Sequence, residues 1–127
     1  MVLVDSSVWI EYFKGNKIAL PVNYLIDTNN LCINEIILAE LIPSINQKKE
    51  NDLRELLLTI TKIPLKINWN QIISMQTLNL KNGINKVGIA DLIIVQNVIN
   101  NDIELYAIDK HFSLMIDLHG IREFKIK

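Results

Sequence analysis

Two acidic residues of this 127-residue chain stand where an acid has no ordinary reason to be. Glu40 lies within Ile36-Ile37-Leu38-Ala39-Glu40-Leu41-Ile42 and Asp91 within Ile89-Ala90-Asp91-Leu92-Ile93-Ile94-Val95, each without a Lys or Arg three or four residues away. A carboxylate in apolar surroundings with no basic partner neutralises or destabilises unless something else compensates it. Most other acids are ordinary: Glu11 has Lys14 at i+3, Glu50 has Arg54 at i+4, and Asp52, Asp102 and Glu104 lie in polar stretches. Asp5 and Asp109 differ by position, since each ends a short apolar run, Val2-Leu3-Val4 and Leu105 to Ile108. If those runs are neighbouring strands, the two carboxylates meet at the strand ends, where open α/β sheets bind their ligands.

Asp5, Glu40, Asp91 and Asp109 together, in a chain with one cysteine and two histidines, make a hard all-oxygen site. Such a donor set favours Mg²⁺ or Mn²⁺ over zinc or copper. Magnesium held by a few carboxylates keeps positions for water and phosphate oxygens, so phosphoryl transfer or phosphodiester hydrolysis by a metal-activated water is the natural chemistry. Taken singly, Asp5 is equally a helix cap and Asp91 a favourable charge near a helix N-terminus; Glu40 has no such explanation, and a shared site accounts for all four. Ser6 and Ser7 have no G-x-S-x-G elbow and no histidine nearby in sequence, so capping and water-orienting roles suit them better than nucleophilic ones. His111 follows Asp109 by two residues and could face the cleft, although a packed or exposed histidine is the commoner outcome.

The elements that must position these acids are legible from periodicity. Val2–Val4 and Leu31–Ile33 are short, apolar and non-alternating, as strands covered on both faces are. Helices are expected from the Asp5-Ser6 cap to Gly15-Asn16, from Ala19 to Asp27, from the Asn34 cap through Glu35 to about Ile45, over the amphipathic segment Gln47–Thr61, over Trp69–Leu80 and over Ile89–Asn100. Further strands are expected at Leu65–Ile67, Leu105–Ile108 and Phe124–Ile126, and the clearest loop at Lys81–Gly88. Strands alternating with helices predict a three-layer α/β/α fold with a mostly parallel sheet of four to five strands, in a single domain spanning residues 1–127.

Composition narrows the function. Half the residues are hydrophobic and only 21% charged, which excludes a disordered chain, and 127 residues support one core rather than two. A net charge of −1 argues against a protein that holds nucleic acid by a broadly basic surface, so any such contact is local or uses metal. Cys32, inside Leu31-Cys32-Ile33, cannot form an internal disulfide and reads as a small buried hydrophobe. No apolar run approaches the roughly 18 residues of a membrane helix and the N-terminus has no basic leader, so the expected location is cytoplasmic, with no membrane partner.

With these residues in view the chain resembles the PIN-domain ribonucleases, most closely the VapC-type toxins of toxin–antitoxin pairs. Val2-Leu3-Val4-Asp5-Ser6-Ser7-Val8-Trp9-Ile10 is similar to the family's opening strand and first acid, and Ile36-Ile37-Leu38-Ala39-Glu40-Leu41 to the segment of its glutamate. Gly88-Ile89-Ala90-Asp91-Leu92-Ile93-Ile94 resembles the helix of the third acid, and Leu105-Tyr106-Ala107-Ile108-Asp109-Lys110-His111-Phe112 the strand and turn of the fourth. The resemblance implies a PIN-like fold, Mg²⁺- or Mn²⁺-dependent RNA cleavage by Asp5, Glu40, Asp91 and Asp109, a homodimer, and neutralisation by a cognate antitoxin. It departs from the family at Ala107, where Thr or Ser is common, and at His111, where a further acid is frequent. Lys81, Lys86 and Lys110, in or beside the loops expected at the acidic edge, are candidates with Ser6 for binding RNA, surface solvation being the plain alternative. The competing functions are RNA processing outside a toxin–antitoxin pair and a catalytically weak protein-binding module. An aspartyl-phosphate phosphatase or receiver domain would need paired or adjacent acids after the first strand, and Asp5-Ser6-Ser7 offers neither.

Overall fold

Val2, Leu3 and Val4 are buried without a break, and because successive strand residues face opposite sides of a sheet, this first strand, β1, must be covered on both faces. Leu31–Ile33, β2, has the same pattern. The computed structural model describes residues 1–125, and in it β1 and β2 are, with β4 (Glu104–Tyr106), the three inner strands of a five-stranded, all-parallel sheet edged by β3 (Thr61–Lys62) and β5 (Arg122–Glu123), in the order β3-β2-β1-β4-β5. Seven α-helices connect them: α1 (Ser6–Phe13), α2 (Pro21–Asp27), α3 (Glu35–Gln47), α4 (Asn51–Thr59), α5 (Trp69–Lys81), α6 (Ile89–Asn100) and α7 (Lys110–His119). The chain winds outward from β1 through β2 to β3, then crosses back to β4 on the other side of β1. The topological switch therefore lies between β1 and β4.

Each helix starts where the local chemistry allows. Asp5, Asn34, Asn68 and Asp109 sit in extended backbone and accept an N–H from the first turn of α1, α3, α5 and α7, satisfying donors that the helix itself cannot. Pro21 occupies the first turn of α2, preceded by a 3₁₀ turn at Lys17–Ala19. Gly120 ends α7 at φ +69°, a left-handed conformation that costs glycine nothing. In α6 the residues Leu92 to Val98 are all buried, so it is a central helix rather than an amphipathic surface one.

Several expected boundaries move. The third strand is Thr61–Lys62, not Leu65–Ile67: the ladder pairs Cys32 with Thr61 and Ile33 with Lys62, and Pro64, with no N–H to give, stands where it ends. Both β3 residues are exposed, so the edge strand carries none of the apolar signal that pointed to Leu65–Ile67. The helix expected over Gln47–Thr61 starts later, at Asn51, because α3 runs on from Ile45 to Gln47 and Lys49 turns the chain at φ +56°. Arg54 then reaches Asn46 and Glu55 rather than Glu50. The fourth strand stops at Tyr106, whose carbonyl accepts the Asp5 N–H at 2.9 Å, and Ala107-Ile108 become the turn into α7, a helix the periodicity reading lacked. The last strand is Arg122–Glu123 instead of Phe124–Ile126, of which Ile126 lies outside the described residues.

Ile94 is fully buried in α6 and Leu114 is exposed on α7. Ile94→Ala is expected to lower the unfolding free energy by about 2–5 kcal/mol in urea denaturation, and Leu114→Ala to change it by less than about 0.5 kcal/mol.

Candidate functional site

The parallel pairing of β1 with β4 carries Asp5 and Asp109 to the same edge of the sheet, one residue and three residues beyond their strands. Asp5 is 3% exposed. Its Oδ2 accepts both the Ser7 N–H at 3.0 Å and the Ser7 hydroxyl at 2.6 Å, and Ser7 Oγ in turn accepts the Ile108 N–H at 3.3 Å. Ser7 thus ties the turn after β1 to the turn after β4. Asp109 is exposed and gives Oδ1 to the His111 N–H at 2.9 Å, capping α7. In both aspartates these capping hydrogen bonds engage a single carboxylate oxygen, Oδ2 of Asp5 and Oδ1 of Asp109.

Asp91, half-buried, stands in the first turn of α6. Glu40 lies in α3, exposed on the rim, where its Oε1 is 3.4 Å from the Ser6 hydroxyl that donates to it. Ser6 thus links the start of α1 to the acid on α3. His111 Nδ1 sits 3.4 Å from Asp109 Oδ1 and 3.6 Å from Asp91 Oδ2, so it faces the cleft and spans the two carboxylates.

Electrostatics bind the four acids into one cluster. Burial raises the Asp5 carboxyl above its ordinary value, against the lowering effect of the Ser7 hydrogen bonds and with a further push from Asp109. Glu40 is raised by lost hydration and then by the charges of Asp5, Asp91 and Asp109. Asp91 is raised by burial and by Asp5 and Asp109, with His111 opposing. Among the described residues no Lys or Arg forms an ion pair with any of the four. The site is a concentration of negative charge without a cationic side chain fixed to it, and the sequence expectation that these acids converge at a strand edge agrees with this geometry.

Such a donor set fits a hard divalent cation. Among the described residues no three His, Cys, Asp or Glu side chains stand close enough to enclose an ion, so the fit is to one that takes one or two carboxylates and keeps its waters, as Mg²⁺ does, rather than to an all-protein cage. Lys110 opens α7 next to Asp109, Lys86 lies in the loop leading into α6, and Lys81 is in the last turn of α5 at the start of that loop; all three are exposed. The bridging role of Ser7 escaped the sequence reading: a serine two residues after a capping aspartate signals its local contact with Asp5, but the reach to Ile108 spans 101 residues.

Because the raised Asp91 carboxyl binds its proton more readily in the folded state than in the unfolded chain, its charge costs nothing below the ordinary value near 3.8 and increasingly destabilises as pH rises through the folded value. Asp91→Asn is expected to melt higher than the parent protein in EDTA at pH 7 and to lose that advantage as pH falls toward 3.8 in a differential scanning series. A purely helix-dipole role for Asp91 gives the opposite sign at pH 7.

Comparison with known proteins comes out in one direction. The PIN domain family model matches residues 2–116. A search of curated protein sequences finds no significant match. Among solved structures, the VapBC2 complex from Rickettsia felis bound to a promoter DNA fragment contains a chain that superposes with a TM-score of 0.76 over 100% of both chains at 16% identity. A toxin–antitoxin complex from Klebsiella pneumoniae gives 0.67 at 18% identity, covering 99% of this chain and 100% of the other. At such identities these likenesses speak for the fold, while the family model, covering nearly the whole length and all four carboxylates, shows that the chain belongs to the PIN domain family.

Proposed function

We propose that this PIN-domain protein is a Mg²⁺- or Mn²⁺-dependent endoribonuclease and the toxin of a VapBC-type pair, with Asp5, Glu40, Asp91 and Asp109 as its metal-binding and catalytic residues, one or two of them holding the ion directly and the others through its waters. The observation that carries the reading is the gathering of four acids at the β1–β4 switch with no Lys or Arg paired to them among the described residues; three of the acids, Asp5, Glu40 and Asp91, are held above their ordinary range by burial and by neighbouring carboxylates. A bound divalent cation supplies the missing positive charge, lowers the pKa of a water and offsets charge building on the phosphate. The chain's own part is orientation. Ser7 holds Oδ2 of Asp5 through its N–H and hydroxyl; Ser6 steadies Glu40 at the rim; His111 places Nδ1 beside both Asp91 and Asp109 and orients them. Lys86 and Lys110 contact the RNA backbone and position the strand, with Lys81 beyond them.

Partners follow from the same surface. A groove of about 270 Å³ opens beside Glu40, floored by Ile10, Phe13, Leu41 and Ile45, and it receives an apolar segment of a cognate antitoxin whose Arg or Lys enters the acid cluster. The VapBC and toxin–antitoxin complexes among the structural neighbours support this occupant. A second copy of the chain belongs to the same proposal: Trp69, Ile73 and Leu80 leave an apolar stripe exposed along α5 of the kind that marks an association surface. Among the described residues no helix is long and apolar enough to cross a membrane.

The deciding experiment incubates purified protein with total RNA in Mg²⁺, Mn²⁺ or EDTA. Cleavage is expected with either metal and not with EDTA, and Asp5→Asn is expected to lose it by at least about 100-fold while keeping its circular dichroism spectrum; undiminished cleavage by folded Asp5→Asn would falsify the assignment. Neutralising Lys86 by Lys86→Gln is expected to weaken RNA binding and reduce the slope of log affinity against log salt by about 1. An unchanged slope in a filter-binding series removes Lys86 from the RNA path.

A further inference from the structure

Two buried amides tie together the helices that carry Glu40 and Asp91. Asn34, fully buried, caps α3 through its Oδ1, which accepts the Ile37 N–H at 3.0 Å, and directs its amide N–H to Asn97 Oδ1 at 2.9 Å. Asn97, on α6 and 4% exposed, directs its own amide to the Pro64 carbonyl at 3.0 Å. Glu40 lies six residues after Asn34 and Asp91 six residues before Asn97, in opposite chain senses. The bond therefore stands about 9 Å of helix from each carboxylate.

We propose that Asn34 and Asn97 are positioning residues, whose hydrogen bond sets the register of α3 against α6 and thereby the spacing of Glu40 from Asp91 at the metal-binding site; the inference rests on the nuclease reading above. Apolar contact between the two helices is non-directional and tolerates small slips. A buried amide pair does not, since moving either helix by one residue, about 1.5 Å of rise and 100° of turn, leaves donor and acceptor unsatisfied in the core. The bond joins residues 63 apart in sequence, and it is the side-chain hydrogen bond that runs directly from α6 to the cap of the helix bearing Glu40. Gln96, its neighbour on α6, is equally buried but turns to Asn68 and Gln71, at 2.9 and 2.7 Å, and so directs its hydrogen bonds to the α5 side and not to α3.

This contrast supplies the test. Asn34→Ser keeps a cap oxygen of similar strength but has no amide to reach Asn97; Asn97→Leu removes the other half of the bond; Gln96→Leu removes a buried amide of the same kind that the proposal leaves out. Affinity for Mn²⁺ alone is measured by calorimetry and by electron paramagnetic resonance of the free ion, beside melting temperature and RNA cleavage. The expected result is a Kd for Mn²⁺ at least about fivefold weaker in Asn34→Ser and in Asn97→Leu. The double variant is expected to be no weaker than the worse single one, since the two act as a unit, and Gln96→Leu is expected to melt lower but bind Mn²⁺ like the parent protein. Should Asn97→Leu fail to fold, Asn34→Ser decides. Unchanged Mn²⁺ affinity in a folded Asn34→Ser, or an equal loss in Gln96→Leu, overturns the inference and leaves the nuclease reading intact. A parent protein that neither binds Mn²⁺ nor cleaves RNA overturns the nuclease reading, and the inference with it.

Discussion

The pairing of Val2–Val4 with Glu104–Tyr106, two strands about a hundred residues apart in the chain, is the contact on which the arrangement of the site depends. It sets Asp5 beside the turn that carries Asp109, and it is continued beyond the sheet by the Asp5 N–H on the Tyr106 carbonyl and by Ser7 on the Ile108 N–H. A parallel pair can be made only through a long crossover, and here the crossover holds α3 and α6, the helices of Glu40 and Asp91. The topology that closes the sheet is thus the same one that gathers the four acids.

That gathering opposes folding. Asp5 is almost completely enclosed, and three of the four carboxyls are pushed toward their neutral forms by burial and by one another. The opposing contribution comes from beneath the site, where Leu3, Val4, Val8, Trp9, Ile33, Leu92 and Ile94 are all excluded from water, and from the caps, since Asp5 and Asp109 each satisfy a helix N-terminus while bearing charge toward the cleft. A close-packed interior has little compressibility to pass on to the rim. The acids are consequently held near one another rather than relaxing apart, a cost that a bound cation would relieve.

Two positions distinguish this chain at the fourth acid. Ala107 is packed against the core and offers no hydroxyl where the resembling family commonly has one; the hydroxyl that reaches this turn comes instead from Ser7 on α1. His111 places a nitrogen, not a further carboxylate, between Asp91 and Asp109. Both changes reduce the number of oxygen donors near Asp109 and increase the part played by α1 and α7 in orienting the acids.

The sequence by itself determined the helices around Asp5, Glu40 and Asp91, because apolar spacing and capping residues act within a few neighbours: α6 runs over Ile89–Asn100 as expected, and Asn34 caps α3. It also singled out Glu40 and Asp91, since an acid amid Ile, Leu and Ala without a basic neighbour is an unfavourable arrangement visible at short range. The edge strands were beyond its reach. Thr61–Lys62 and Arg122–Glu123 are exposed and polar, and they are strands only because Cys32, Ile33, Glu104 and Leu105 present free backbone groups to them. The helix α7 starts at Lys110, capped by Asp109, the residue at which the expected strand Leu105–Ile108 ends. Only tertiary structure decided that β1 and β4 are neighbours, that Ser7 joins their turns, that His111 faces the acids, and that Asn34 meets Asn97. Each of these is a contact between residues far apart in the chain, whose free energy depends on the sheet and helices already being in place.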